Sequence, residues 1–230
     1  MTGKTLVFDL DGTLVSTAAD LLDSLNFTIA TVGLAPLTLD GFGPILGRGA
    51  REMIRVAHEK QQRPLPPETL ERLFQTFLAH YAANMPGRSE LFPGALATLD
   101  RFEAAGYRLA ICTNKTEALA KLLMQGLNLT PRFAAICGAD TFSKSKPDPL
   151  HIIETVKLAG GDPAQSVMVG DSRADIEAAK AAGIPVVAVD FGYTDRHVSE
   201  FEPSKVISSY DELTVDLAER LIAAAHDSRS

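Results

Sequence analysis

The chain has 230 residues, 46% of them hydrophobic and 22% charged, a balance that fits one large soluble domain or one domain plus a smaller one. Its net charge of -7 at pH 7 disfavours nonspecific binding to nucleic acid or anionic membranes, which needs a basic face. No apolar run is long enough to cross a bilayer, and Met1-Thr2-Gly3-Lys4 leads into a strand without a signal-peptide core, so a cytoplasmic location is expected.

Thr5 to Phe8 is a short apolar run of strand formers that ends at Asp9. Leu21, Leu22, Leu25, Ile29 and Val32 then recur at helical spacing, which predicts an amphipathic helix over 17–32 stopped by Gly33. Helical patterns return over 50–59 and 68–81, parted by Pro64, Pro66 and Pro67. Nothing between 17 and 88 reads as strand. After Pro93-Gly94 the texture alternates. Helices are expected over 95–105, 117–127, 150–159, 174–182 and 213–225, and strands over 107–112, 133–137, 166–169, 186–189 and 206–207.

Alternation of this kind predicts an α/β fold, a parallel sheet with helices on both faces and right-handed crossovers. The helical stretch is an insertion after the first strand. The expected core is therefore 1–15 plus 89–230, with a helical domain over 16–88 and hinges near 15–17 and 87–92. Cys112 and Cys137 lie in or beside strand-like runs and are expected as free buried thiols.

Open parallel sheets bind ligands outside the carboxyl ends of their strands, so the residues after each strand carry the information. Asp9 and Asp11 flank Leu10, and two carboxylates spaced by two in extended chain point to one side. Two like charges that close resist joint ionisation unless a cation or a proton intervenes. A metal on one and a proton on the other would yield a nucleophile and a general acid. Gly12 allows the turn that follows, although an Asp-Gly turn also occurs without any such role.

Thr113 and Asn114 supply a hydroxyl and an amide suited to phosphate oxygens. Asn114 with Glu117 equally has the spacing of a helix cap. Lys146 precedes proline and could offset a phosphoryl charge, with Lys144 as a competitor or with both solvated. Asp171 ends a strand as a candidate metal carboxylate, and Asp175 could orient it or cap a helix with Ser172.

Taken in order, Asp9-Leu10-Asp11-Gly12-Thr13, Thr113-Asn114, Lys146-Pro147, and Gly170-Asp171 with Asp175 resemble the four motifs of the haloacid dehalogenase-like superfamily. The resemblance covers nearly the whole chain. It implies a Rossmann-like core with an inserted α-helical cap. Ala19-Asp20-Leu21, Gly47-Arg48-Gly49-Ala50, Cys112-Thr113-Asn114-Lys115, the segment from Gly170 to Ile176, the segment from Ala178 to Gly183, and Phe191-Gly192-Tyr193 resemble the phosphoglycolate phosphatase group. Ser16 and Ala174 depart from that group's usual aspartate and asparagine without removing a catalytic group.

The resemblance implies hydrolysis of a small phosphomonoester, 2-phosphoglycolate above all, through an aspartyl phosphate on Asp9. Asp11 would serve as acid and then base. Mg2+ would be held by Asp9, Asp11 (through its carbonyl) and Asp171, with Asp175 behind them. Thr113, Asn114 and Lys146 would take the phosphoryl oxygens. Arg48 is a candidate contact to a substrate carboxylate, or else a surface arginine. The partner is a small phosphorylated metabolite, with no nucleic acid or membrane, and the chain a monomer or homodimer. Competing readings are a phosphatase of pyrophosphate or a sugar phosphate, a phosphoglucomutase-type phosphotransferase, and a non-catalytic binding module. A substrate panel separates the first two from phosphoglycolate hydrolysis. Retention of Asp9, Asp11, Lys146 and Asp171 speaks against the module.

Overall fold

The computed structural model describes residues 3–40, 42–194 and 196–227. Met1 and Thr2, which the sequence places before the first strand, lie outside the described residues. The strands are β1 (Thr5–Phe8), β2 (Val15–Ser16), β3 (Glu90–Leu91), β4 (Arg108–Cys112), β5 (Ala135–Cys137), β6 (Ser166–Gly170), β7 (Val186–Val189) and β8 (Lys205–Ile207). The inserted helices are α1 (Ala18–Ala30), α2 (Gly43–Leu46), α3 (Ala50–Lys60) and α4 (Pro67–Asn84). The remaining helices are α5 (Ala95–Ala104), α6 (Glu117–Gly126), α7 (Pro149–Leu158), α8 (Arg173–Ala182) and α9 (Val215–Asp227).

Six strands form one parallel sheet in the order β5-β4-β1-β6-β7-β8. After their first residues, Thr5, Arg108 and Ser166, the central strands β1, β4 and β6 are apolar because both faces are covered, so no polar alternation is required of them. Leu6, Phe8, Leu109, Ile111, Val167 and Val169 pack on one face with Leu99, Phe102 and Ile222. Val7, Ala110 and Met168 face the other way, onto Ile152, Val156 and Ile176. Cys112 and Cys137 are free and buried, as expected. The α/β fold with helices on both faces is the one that the alternation predicts. No helix among the described residues is long and apolar enough to cross a membrane.

The inserted helices have a core of their own. Leu25, Ile29, Met53, Ile54, Leu73, Phe77 and Tyr81 are buried together. Each such side chain contributes about 1.5–3 kcal/mol on burial, which lets the insertion hold its shape. Three features are absent from the sequence reading. The segments β2 and β3, two residues each, pair antiparallel where the chain leaves and re-enters the core. The four-residue α2 is new as well. Neither is long enough to show a period. The helix predicted over 68–81 extends as α4 to Asn84.

Asp20, in the first turn of α1, joins the two crossovers. Its buried carboxylate accepts from the main-chain N–H groups of Arg88 at 2.9 Å and Ser89 at 2.8 Å, and from the Ser89 hydroxyl at 2.5 Å. Removing it takes this acceptor from the Arg88 amide and from the Ser89 hydroxyl, and leaves the Ser89 amide only the Pro86 carbonyl at 2.9 Å. Asp20→Ala is therefore expected to cost about 2–4 kcal/mol in urea unfolding. A loss below about 0.5 kcal/mol, the range of an ordinary surface substitution, would show that the clasp does not hold the crossovers.

Candidate active site

The ends of β1, β4 and β6 bring the predicted residues together. Asp9 follows β1, and its main-chain N–H donates to the carbonyl of Val169 in the neighbouring β6 at 2.8 Å. Asp171 follows β6 directly, and Asp175 lies in the first turn of α8. Oxygens of Asp9, Asp171 and Asp175 lie within 4.8 Å of one another, and all three residues are buried.

Lys146 anchors this group. Its ammonium donates to Asp9 Oδ1 at 2.8 Å, Asp175 Oδ1 at 2.6 Å and the carbonyl of Cys112 at 2.5 Å. Burial alone would lower its pKa, but the charges of Asp175 and Asp9 outweigh that and hold it well above the usual lysine range. Lys146, not the exposed Lys144, is thus the lysine of the site. An ammonium has three donors and all three are occupied, so here Lys146 grips the Asp9 carboxylate in preference to reaching outward. Its main-chain N–H donates to Nδ1 of buried His151 at 3.2 Å, which fixes the loop from behind. Burial, then the charge of Lys146, depresses that imidazole to about 4.

One cation does not balance three carboxylates. Burial pushes Asp9 up to about 6, with Lys146 opposing and Asp175 and Asp11 adding to the rise. Burial likewise pushes Asp171 up to about 8, reinforced by Asp9 and Asp175. Asp171 Oδ1 accepts the Thr13 hydroxyl at 2.9 Å and Oδ2 the Tyr193 main-chain N–H at 2.6 Å. Gly12, at φ +81°, makes room for it, because a Cβ there would lie 2.5 Å from Asp171 Oδ2.

Asp175 is committed elsewhere. Its Oδ1 holds Lys146, while Oδ2 accepts the Ser172 N–H at 3.0 Å and hydroxyl at 2.6 Å in a capping box. The cap reading of the Ser172–Asp175 pair therefore holds, while the other oxygen of Asp175 takes Lys146 rather than Asp171.

Asp11 has different company. Its side chain is 21% exposed and pairs with the Lys115 ammonium at 3.0 Å. Lys115, 5% exposed, also donates to the Tyr81 hydroxyl at 3.1 Å, across from α4. Burial opposes its charge, but Asp11 and Tyr81 hold its pKa above the usual lysine range. Asp11 Oδ1 is buried with no hydrogen-bond partner among the described residues.

Thr113 is buried, and its Oγ1 accepts the Lys115 N–H at 3.2 Å, which leaves the hydroxyl proton to donate. Asn114 does not cap α6. Thr116 stands at that N-cap, and Asn114 Nδ2 instead donates to the Lys146 carbonyl at 2.9 Å. The cap reading fails because the amide is needed to tie two site loops together. Arg48 is exposed just beyond α2. Lys115, Tyr81, Thr13 and His151 received no role from the sequence. Of these, Lys115 and Thr13 lie in quoted segments, Cys112-Thr113-Asn114-Lys115 and Asp9-Leu10-Asp11-Gly12-Thr13, and carried a signal that could have found them.

A model of the haloacid dehalogenase-like hydrolases matches residues 6–189. The chain is 58% identical to a phosphoglycolate phosphatase of Mesorhizobium japonicum, over 98% of this chain and 99% of that protein. It is 50% identical to a phosphoglycolate phosphatase of Agrobacterium fabrum, over 94% and 93%. A crystal structure described as a predicted phosphoglycolate phosphatase from Haemophilus somnus superposes with a TM-score of 0.85 at 28% identity, over 93% of this chain and 97% of that one. The chain belongs to the haloacid dehalogenase-like hydrolases. It is an enzyme of that family, and these curated relatives are phosphatases.

The raised carboxylates set a pH dependence. A folded-state pKa above the unfolded value means that the folded protein binds more protons, so stability falls as pH rises through the window. For Asp171 that window runs from the ordinary 3.8 to about 8. In chelator, wild type is expected to lose stability from pH 5 to pH 8, and Asp171→Asn to lose distinctly less, in thermal unfolding across that range. Parallel profiles for the two proteins would show that Asp171 carries no such strain.

Proposed function

We propose that this enzyme is a Mg2+-dependent phosphomonoester hydrolase that works through a phosphoryl group on Asp9, with 2-phosphoglycolate as its substrate. The observation that carries the reading is the pairing of Asp9 with buried Lys146 while Asp11, two residues on, pairs with a separate cation. Two neighbouring carboxylates in different environments can do different jobs. The substrate rests on the names of the relatives at 58% and 50% identity.

In this reading an Asp9 oxygen attacks phosphorus as the bond from phosphorus to the leaving oxygen breaks. Asp11 gives that oxygen a proton, then takes one from the water that attacks the phosphoryl group and restores Asp9. The Thr113 hydroxyl and Asn114 amide hold phosphoryl oxygens, and Lys146 keeps Asp9 aimed. The glycolate carboxylate would compete with Asp11 for Lys115, with Arg48 as a second contact. Residues 16–88 form the cap that covers the site, and 1–15 with 89–230 form the catalytic core.

The donor set fits the metal. Asp9 and Asp171 present hard oxygens whose charge is incompletely offset, and Asp175 is engaged by Lys146 and Ser172. Asp9, Asp171 and the Asp11 carbonyl would hold Mg2+, which when bound supplies positive charge to the transferring phosphoryl oxygens. A cytoplasmic monomer or homodimer acting on a small phosphorylated metabolite, with no nucleic-acid or membrane partner, completes the reading. The net charge of -7 supports it.

Phosphate release from a panel of phosphomonoesters tests this. The expected result is preference for 2-phosphoglycolate, abolished by chelator and by Asp9→Asn. Asp11→Asn should lower kcat about 10^2- to 10^4-fold, the usual contribution of a positioned acid–base group. Metal-dependent release that favours another ester would discard the substrate, and undiminished release by Asp9→Asn would discard the mechanism.

A further inference from the structure

The loop after β7 reaches four parts of the molecule through Tyr193. Its main-chain N–H donates to Asp171 Oδ2 at 2.6 Å. Its hydroxyl oxygen accepts from the N–H groups of Thr17 at 2.8 Å and Ala18 at 2.9 Å. Its ring lies over the turn after the nucleophile, where a Cβ on Gly12 would meet Cδ2 at 2.9 Å. Its carbonyl oxygen faces the end of α2, where a Cβ on Gly47 would approach to 2.6 Å. The side chain also packs against the core of the inserted helices.

The two amides matter because α1 starts there. The first N–H groups of a helix have no partner within it. Thr17 occupies the N-cap position without a side-chain cap, and its own hydroxyl is buried without a partner among the described residues. The Tyr193 hydroxyl does this work from the opposite side of the crossover, in a different part of the chain. A phenol is stiff, so the hydroxyl cannot follow a displaced α1 unless the backbone of residue 193 moves as well. That backbone carries the N–H that aims Asp171.

We propose that Tyr193 is a positioning residue that couples the seating of the inserted helices, at the 16–18 crossover, to the aim of the Asp171 carboxylate. This rests on the reading that Asp171 helps to hold Mg2+. A residue that merely capped α1 would stabilise the crossover equally with and without the metal. A coupling residue makes the crossover respond to metal binding through Tyr193, which lies 176 residues from Thr17 in sequence.

Amide hydrogen exchange resolved to residues 17 and 18, with and without Mg2+, tests the coupling, alongside calorimetric titration of Mg2+ on the same samples. Wild type should show slower exchange at both amides when Mg2+ is present. In Tyr193→Phe, which keeps the main-chain N–H and loses only the hydroxyl, exchange at both should rise about tenfold, the worth of one hydrogen bond. The response to Mg2+ should vanish, while the amides of Val7 and Val169 in the central strands stay as protected as before. Gly47→Ala, which presses a methyl on the Tyr193 carbonyl from outside the metal site, should weaken Mg2+ binding about fivefold. Wild type that binds no Mg2+ would remove the metal reading and the coupling together. Mg2+ binding with unchanged exchange at Thr17 and Ala18, a response that survives in Tyr193→Phe, or unaltered affinity in Gly47→Ala would overturn the coupling alone.

Discussion

Three buried carboxylates lie together with a single ammonium, which bonds two of them, at the carboxyl ends of the central strands, and most of the arrangement around them follows from that imbalance. Lys146 satisfies one oxygen of Asp9 and one of Asp175 and closes its coordination on the Cys112 carbonyl. Truncating one member of such a buried ionic group usually costs about 3–5 kcal/mol, because its partners keep their charges and lose their neutraliser. The protein invests correspondingly in holding Lys146. Asn114 takes its carbonyl, His151 takes its N–H, and β4 supplies the Cys112 oxygen. What remains uncompensated falls on Asp9 and Asp171, the two carboxylates whose pKa values rise. A divalent cation is the simplest group to restore the balance.

Asp11 stands apart from this economy. It lies two residues from Asp9 yet pairs with Lys115, which in turn reaches Tyr81 on α4. Asp11 is therefore tied through Lys115 to the inserted helices, while Asp9 is tied to the sheet. Tyr193 and Asp20 bind the crossovers on either side.

The sheet and the positions of Asp9 and Asp171 were legible in the sequence because each follows an apolar run of the kind a doubly covered strand shows. The Ser172–Asp175 pair was legible because a capping box is local. Contacts made across long separations were not. Asn114 looked like a cap because its spacing to Glu117 is a local signal, while its real acceptor, the Lys146 carbonyl, lies 32 residues away. Asp20 entered only as part of the segment Ala19-Asp20-Leu21, and its partners lie 68 and 69 residues on. Lys115 and Tyr81 meet only after the insertion folds over the sheet. Elements as short as β2, β3 and α2 carry too few residues to display a period.

The central claim is that Asp9 becomes covalently phosphorylated during turnover. The most direct measurement is rapid acid quench of enzyme mixed with 2-phosphoglycolate and Mg2+, followed by peptide mass mapping of the segment around Asp9. The account predicts a transient phosphoryl group on Asp9 that forms and decays at rates sufficient to carry turnover. Steady phosphate release with Asp9 unmodified at every time point would contradict it.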